Sequence, residues 1–145
     1  EVVERFRESA EDYYKVSIEI LPLSEAVPSI TGDRELMSRV FENLIENALL
    51  YNKPGGKIYI QIEVKGEALN IQIVDTGIGI VPKDLKRVGE KFFRSSLAKS
   101  HVAEGTGLGV FIARHIMRLH GGKFEIHSKA QEGTTVQITV PISQK

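Results

Sequence analysis

One strand that ends in an acid and two glycines restricts the fold of this chain more than any other feature. Residues 69–74 read LNIQIV, with the apolar–polar alternation of a half-buried β-strand. Asp75 continues the inward-facing register, and Gly77 and Gly79 follow it. A buried carboxylate is costly unless donors reach it, while closely spaced glycines permit a sharp turn and the approach of a ligand. The stretch predicts either a pocket in which Asp75 accepts a hydrogen bond from an N–H group of a flat ligand, or an ordinary strand end followed by a turn.

Length and composition fit one soluble domain spanning residues 1–145. Hydrophobic residues make up 41% of the chain, charged residues 26%, and 19 basic residues balance 19 acidic ones. We therefore expect no nucleic-acid partner and no attraction to anionic membranes. Cysteine is absent, which excludes disulfides and thiolate metal sites and is compatible with the cytoplasm. We find no bilayer-spanning run and no signal peptide. Because the sequence begins at Glu1 rather than Met, we expect a piece of a longer protein.

The N-terminal segment has helical periodicity. Val3, Phe6, Ala10 and Tyr13 recur at spacings of three and four, which predicts an amphipathic helix over residues 1–14. This helix either packs on the domain's own core, which we favour, or ends a coiled coil that leads in from a partner domain.

Two strands are predicted next. Alternation over residues 16–20 indicates one strand, and residues 27–31, beyond a loop bracketed by Pro22 and Pro28, indicate a short second one.

The main helix is predicted from Asp33, as N-cap, to about Tyr51. Asn43 and Asn47 lie four residues apart and therefore on one side of this helix. Asn47 falls at the edge of the apolar face, where its amide needs a partner. That partner is either an ordinary buried hydrogen bond or a hydrated metal, since Mg²⁺ prefers oxygen ligands. The apolar face consists of Leu36, Met37, Val40, Phe41, Leu44, Ile45, Ala48 and Leu49.

An antiparallel hairpin follows. Residues 53–56 (KPGG) predict a turn, and residues 58–64 alternate between apolar and polar side chains. A tight turn near Gly66 returns the chain into the strand that ends at Asp75.

Residues 80–104 are less regular. Pro82 suits the first turn of a short helix. Residues 88–94 place two aromatic side chains beside Lys91 and Arg94. Residues 95–104 have no clear period, and we expect an irregular lid or binding loop there.

A glycine-rich run, residues 105–109 (GTGLG), leads into a helix. Glycines at a helix start leave N–H groups free to converge on an anion. A dinucleotide-binding turn is disfavoured, because that turn follows the first strand of a βαβ unit. The helix should end at His120-Gly121-Gly122. The apolar face of this helix is predicted as Leu108, Phe111, Ile112, Ile116 and Leu119.

Two last strands complete the sheet. Phe124 and Ile126 indicate one, residues 131–133 a turn, and residues 136–140 a final strand that ends at Pro141. Because nearly every strand alternates, we expect helices on one face only, which is a two-layer α/β sandwich. The pocket would lie between the layers, where Asp75, Asn47 and the 105–109 loop meet.

The order of these motifs resembles the catalytic and ATP-binding domain of bacterial sensor histidine kinases over residues 14–141. Residues 43–48 (NLIENA) look like the family's N box, 75–79 (DTGIG) its G1 box, 90–94 (EKFFR) its F box and 105–109 its G2 box. His120-Gly121-Gly122 and Gly133-Thr134 match as well. The resemblance implies the Bergerat fold, an α/β sandwich with a mixed, mostly antiparallel sheet, shared more distantly with gyrase-type and Hsp90-type ATPases.

The resemblance also implies cofactors and roles. ATP and Mg²⁺ would bind, with Asp75 accepting a hydrogen bond from the adenine amine. Asn47 would hold the Mg²⁺ with Asn43 nearby. Arg94 and Asn43 would be the catalytic residues, Arg94 by neutralising the γ-phosphate beneath a lid formed by residues 94–106. Further base contacts are implied for Tyr51, Gly77, Gly79 and, through water, Thr134. Further phosphate contacts are implied for Lys53, Lys91, Gly105, Gly107 and Gly109. Other ATP-binding residues are implied at Ile80, Phe92, Thr106 and Leu108.

The implied partners are a dimerisation and histidine-phosphotransfer domain of the parent kinase and a response regulator. The domain would be cytoplasmic, within a homodimeric parent that is either soluble or membrane-anchored. His101, His115, His120 and His127 lack the sequence context of a phosphoacceptor, so the acceptor should lie elsewhere.

The chain departs from the family pattern at two places. Leu50 stands where the family often has lysine, so Lys53 or Lys91 would have to replace that phosphate contact. Val88 replaces the first F-box aromatic and Gly89 follows it, which predicts looser packing there.

Three other functions remain open. One is a pseudokinase that binds nucleotide or a partner without transfer. A second is an anti-sigma-type protein-serine kinase, which the F box disfavours. The third is a gyrase-type or Hsp90-type ATPase, which is disfavoured because Asn43 stands in place of the general-base glutamate.

Overall fold

The computed structural model describes residues 1–23, 26–30, 32–101 and 108–142. Its centre is a five-stranded sheet of order β1-β2-β3-β5-β4. The strands are β1 (Ser17–Ile20), β2 (Lys57–Lys65), β3 (Ala68–Asp75), β4 (Lys123–Lys129) and β5 (Gly133–Pro141). β1 runs parallel to β2, and the other neighbours are antiparallel. The predicted mixed, mostly antiparallel sheet is thus confirmed.

Helices cover one face of this sheet. They are α1 (Val2–Ser9), α2 (Arg34–Leu50), α3 (Pro82–Leu85), α4 (Ser96–His101) and α5 (Gly109–Leu119). The core lies between the sheet and helices α2 and α5. It contains Val40 and Ile45 of α2 and the alternating apolar residues of the strands, such as Ile58 of β2. On the opposite face polar side chains pair across strands, since Asn70 donates to Thr139 and Gln72 donates to Gln137. Among the described residues, no helix combines the length and the apolar character needed to cross a bilayer.

The predicted start of α2 is confirmed. Asp33 has an extended backbone, and its Oδ1 accepts a hydrogen bond from the N–H of Leu36 at 3.0 Å. The N–H of Asp33 donates to Nε2 of His120 at 3.0 Å, and Nδ1 of His120 lies 2.8 Å from the carbonyl of Ile116. Because Nε2 accepts the first of these bonds, Nδ1 donates the second, and His120 ties the end of α5 to the start of α2.

The predicted N-terminal helix is only partly regular. After α1 the chain forms a π-helical turn, Ala10–Tyr14, and Lys15 ends it in the left-handed region. The wider π-turn shifts the inward-facing position by one residue. Tyr13, predicted to face the core, is consequently 79% exposed, and Tyr14 packs against the core instead.

Three smaller predictions are wrong. Residues 27–30 form no strand, and Ile30 makes a single bridge to Ile142. Leu119 is 66% exposed, because Ala113 and Met117 occupy the part of α5 that turns toward the sheet. Residues 96–101, expected to be irregular, form α4.

Helix α4 forms because side chains cap its first turn, and the hydrophobic periodicity of the sequence does not indicate such caps. Ser95 Oγ accepts a hydrogen bond from the N–H of Ala98, and Asp84 accepts bonds from both the N–H and the hydroxyl of Ser96. These bonds satisfy N–H groups that a helix start leaves open. The rest of the predicted lid, residues 102–106, lies outside the described residues.

Candidate functional site

A cavity of about 500 Å³ lies between the sheet and helices α2 and α5. This volume suits a small-molecule ligand. Its walls come from the end of β3, one side of α2, the loop after β3, the segment before α4 and the first turn of α5. Most predicted site residues line this cavity: Asn43, Asn47, Tyr51, Asp75, Gly79, Ile80, Arg94, Leu108, Gly109 and Thr134.

Asp75 is a partly buried acid in the wall of the cavity. Its Oδ1 accepts hydrogen bonds from the N–H of Gly77 at 2.9 Å and of Thr134 at 3.2 Å. Burial raises the pKa of Asp75 to about 6, and the two N–H donors oppose that rise. Oδ2 has no donor among the described residues, so it can accept a hydrogen bond from a ligand. The carboxylate is mainly ionised at neutral pH.

Ser128 is a site residue that sequence reasoning missed. The strand register places Asp75 opposite Thr134 and Thr134 opposite Ser128, so three neighbouring strands form one polar row. Ser128 Oγ lies 2.8 Å from Thr134 Oγ1 and accepts from the N–H of Ile80 at 2.9 Å. A single serine in an alternating strand gives no signal for this role, which depends on the pairing of strands.

Gly77 and Gly79 are required by the chain itself. A Cβ on Gly77 would collide with the carbonyl oxygen of Tyr51, and one on Gly79 with that of Lys129. Gly79 also has a φ of 67°, which favours glycine. Gly77 does not line the cavity. The close approach seen here is between segments of the protein, and approach of a base to either glycine stays a prediction.

The side of α2 that faces the cavity carries two amides. Asn43 Nδ2 is buried and has no hydrogen-bond partner among the described residues. Asn47 faces the start of α5, where a Cβ on Gly109 would lie 3.4 Å from its Nδ2. A glycine at that point leaves space beside the Asn47 amide. Gly105, Thr106 and Gly107 lie outside the described residues.

Arg94 is the one cationic residue among the described residues that line the cavity, while Glu46 and Asp75 are acidic. Its Nη2 lies 3.5 Å from the hydroxyl of Tyr51 and 3.4 Å from the carbonyl of Ala98. Because Arg94 is a cation at this wall, its guanidinium is placed to meet an anionic ligand. Leu50, which is uncharged, lines the cavity as well.

Three other predicted contacts are not at the cavity wall. Lys53 donates to the carbonyl of Gln131 at 2.7 Å, so its ammonium is held by the β4–β5 turn. Lys91 lies 5.3 Å from the ring of Phe92 and 5.9 Å from that of Phe111. Phe92 is 64% exposed. The expected replacement of the lysine at position 50 by Lys53 or Lys91 therefore has no support in this geometry.

Two arginine–aromatic contacts involve the segment after α3 and the neighbouring α5, and the predicted looser packing of this segment stays a prediction. Gly89 has a φ of 98°, and a Cβ there would meet the guanidinium of Arg114. Arg114 in turn lies over the ring of Phe124 at 5.6 Å, and Arg87 lies over Phe93 at 4.4 Å. Gly89 thus makes room for a side chain of α5.

Comparison with known proteins identifies the family. The profile of the histidine kinase-, DNA gyrase B- and HSP90-like ATPases matches residues 32–144. The sensor histidine kinase WalK of Bacillus subtilis is 34% identical over 146 residues, which covers 99% of this chain and 23% of WalK.

Two solved structures have the same fold. The mycobacterial sensor histidine kinase MprB has a TM-score of 0.81 and 27% identity, over 99% of this chain and 95% of that one. Full-length ShkA in complex with AMPPNP has a TM-score of 0.82 over 99% of this chain and 29% of that one, but at 21% identity it shows the fold alone.

The curated relatives are much longer than this chain, which covers 27% of the length of one and 14% of another. The profile match and the identity to WalK, together with the sheet, the partly buried Asp75 and the paired asparagines, agree on one assignment. The chain belongs to the histidine kinase-, DNA gyrase B- and HSP90-like ATPase family, among the catalytic domains of sensor histidine kinases.

Proposed function

We propose that this domain binds ATP in the cavity and supplies its γ-phosphate to a histidine on a separate dimerisation domain of the parent kinase. The observation that carries the proposal is the arrangement around Asp75. A partly buried carboxylate is fixed through one oxygen, offers the other to a ligand, and shares its cavity with Asn43, Asn47 and Arg94.

The base would bind at Asp75. The adenine amine is an N–H donor, and Oδ2 of Asp75 is an acceptor without a donor among the described residues. Asp75 accepts best when it is ionised, which its pKa of about 6 permits at neutral pH. Ile73, Ile78 and Val136 line the same cavity and supply apolar contacts for a flat ring.

The phosphates would bind near α2 and Arg94. The unsatisfied Nδ2 of Asn43 can donate to a phosphate oxygen. Arg94 would stabilise the charge that spreads over the γ-phosphate during transfer, which is an electrostatic and positioning role. Both side chains line the cavity.

The donor set also fits Mg²⁺. The ion prefers oxygen ligands and is commonly held by few protein groups together with phosphates, and the Asn47 amide lies at the cavity wall opposite Gly109. Asn47, with Asn43 nearby, would hold the ion. When bound, Mg²⁺ supplies positive charge that neutralises the phosphates.

The phosphoacceptor would lie outside this domain. His120 uses both ring nitrogens within the fold. His115 stacks on Phe111, and His127 lies 3.8 Å from Glu125. The acceptor histidine would therefore belong to another domain of the parent kinase. We further propose that this domain is the cytoplasmic catalytic part of a homodimeric kinase, which is either soluble or membrane-anchored. Its phosphohistidine would pass the phosphoryl group to a response regulator.

The test is phosphoryl transfer in trans. The domain is mixed with the dimerisation domain of its own parent kinase and with γ-labelled ATP. Arg94→Ala should slow transfer about 100-fold while changing the ATP dissociation constant much less, because its role is in the transition state. Arg118→Ala, a change at an exposed position on α5, is the matched control. Normal transfer by Arg94→Ala, or stoichiometric phosphohistidine on the isolated domain, would contradict the proposal.

A second candidate, a pseudokinase, is favoured by Leu50. Its side chain lines the cavity where the family often has lysine, and it leaves Arg94 as the sole cation among the described lining residues. ATP binding without transfer to the acceptor domain in the same assay would establish this alternative.

A further inference from the structure

The row formed by Asp75, Thr134 and Ser128 has a hydrogen-bond arrangement that fixes where its protons lie. Ser128 Oγ has three close polar partners: the N–H of Ile80 at 2.9 Å, the carbonyl of Gly133 at 2.8 Å and Thr134 Oγ1 at 2.8 Å. A serine hydroxyl has one proton to donate and two lone pairs. All three contacts can be satisfied together in only one way.

The backbone partners determine that arrangement. The carbonyl of Gly133 can only accept, so it takes the proton of Ser128. The N–H of Ile80 can only donate, so it takes one lone pair. Thr134 must then donate its own proton to the second lone pair. If Ser128 donated its proton to Thr134 instead, lone pairs of Ser128 Oγ and of the Gly133 carbonyl oxygen would face each other at 2.8 Å.

Thr134 lines the cavity and Ser128 does not. Since the Thr134 proton points to Ser128, Oγ1 can only accept from a ligand. Asp75, once ionised, is also an acceptor, and the N–H groups of Gly77 and Thr134 are already used by its Oδ1. The row therefore presents acceptors alone to whatever binds beside it.

We infer that Ser128 is a positioning residue which, by holding the Thr134 hydroxyl as an acceptor, makes this end of the cavity select an amino over an oxo substituent on a purine ring. An amino group donates to such a wall, whereas an oxo group places its lone pairs against it. The inference rests on the proposed function, namely that a purine nucleotide binds with its base at Asp75.

Removing the Ser128 hydroxyl frees the Thr134 proton. In Ser128→Ala, Thr134 can rotate and donate to a 6-oxo group. Inosine triphosphate, which carries a 6-oxo group where ATP has the amine, should then gain affinity. We expect the ratio of ATP to inosine triphosphate affinity to fall about 10-fold relative to wild type.

The experiment measures both dissociation constants by calorimetry for wild type and five variants. Ser128→Thr restores a hydroxyl and should restore the wild-type ratio. Thr134→Val removes the hydroxyl that would turn, so adding Ser128→Ala to it should leave the ratio unchanged. Thr135→Val is the matched control, because the next residue of β5 points to the opposite face of the sheet. If Ser128→Ala does not fold, Ser128→Cys replaces it, because a thiol of similar shape is a weaker acceptor for the Thr134 proton and should lower the ratio in the same direction.

The outcomes separate this inference from the proposed function. A wild-type ratio in folded Ser128→Ala overturns the role of Ser128, as does an equal loss of affinity for both nucleotides. A further fall of the ratio when Ser128→Ala is added to Thr134→Val overturns it too, because Thr134 would then not be the mediator. Failure of the wild-type protein to bind ATP would instead overturn the proposed function.

Discussion

At the scale of single residues, Asp75 is placed to bind a ligand, and its burial lowers the stability of the fold. Its strand register places it in the polar row with Thr134, where burial disfavours the ionised form that a donor ligand requires. The acid and its direction follow from alternation along one strand and could be predicted from the sequence. Ser128 could not, because its role exists only once β4 pairs with β5.

The raised pKa of Asp75 predicts how stability depends on pH. Between about pH 4 and pH 6 the folded state keeps a proton that the unfolded state has lost, so the free energy of unfolding falls as pH rises through this window. Burying the charge costs about 3 kcal/mol at neutral pH, from a shift of about two pKa units. Asp75→Asn keeps an oxygen for the two backbone donors and should be more stable at pH 7.5 by about 1–3 kcal/mol.

Urea unfolding of both proteins at pH 5 and pH 7.5 checks this prediction. The advantage of the Asn variant should shrink at the lower pH, where wild-type Asp75 is protonated. An Asn variant that is less stable at pH 7.5, or an advantage that does not change with pH, would contradict it.

At the scale of elements, local signals predicted most of the chain. Helix α2 has its own N-cap and a broad apolar face, and the β2–β3 hairpin has alternation and a glycine turn. The failures are elements whose form depends on other parts of the fold. Helix α4 is capped by Asp84 from α3. The π-turn after α1 shifts the helical register, so that Tyr13, which the spacing of apolar residues had placed on the inward face, points outward.

The π-turn makes a prediction about two neighbouring tyrosines. Tyr14→Ala should lower the free energy of unfolding by about 2 kcal/mol, because a partly buried aromatic ring leaves the core. Tyr13→Ala, at a residue that is 79% exposed, should change it by less than about 0.5 kcal/mol. Denaturant unfolding of the pair measures both, and the reverse order of effects would show that the helix is regular and Tyr13 faces the core.

At the scale of the whole molecule, the layers could be predicted but the strand order could not. Alternation in nearly every strand indicates one covered face, whereas the order β1-β2-β3-β5-β4 depends on long-range pairing. The site was predicted through the order of its motifs, and the structure brings Asn47, Asp75, Arg94 and Thr134 to one cavity. A phosphate contact by Lys53 stays a prediction, and its ammonium is held by the β4–β5 turn, which is remote in sequence.

Calorimetry of Mg·ATP binding at pH 7.5, with wild type and Asp75→Asn side by side, tests whether the cavity binds ATP with its base at Asp75. Glu125→Gln, a change of an exposed carboxylate on β4, is the control. We expect micromolar to sub-millimolar binding by wild type and the control, and loss of binding in Asp75→Asn. Wild-type protein that binds no nucleotide would contradict the assignment of the cavity, and equal binding by all three would place the adenine away from Asp75.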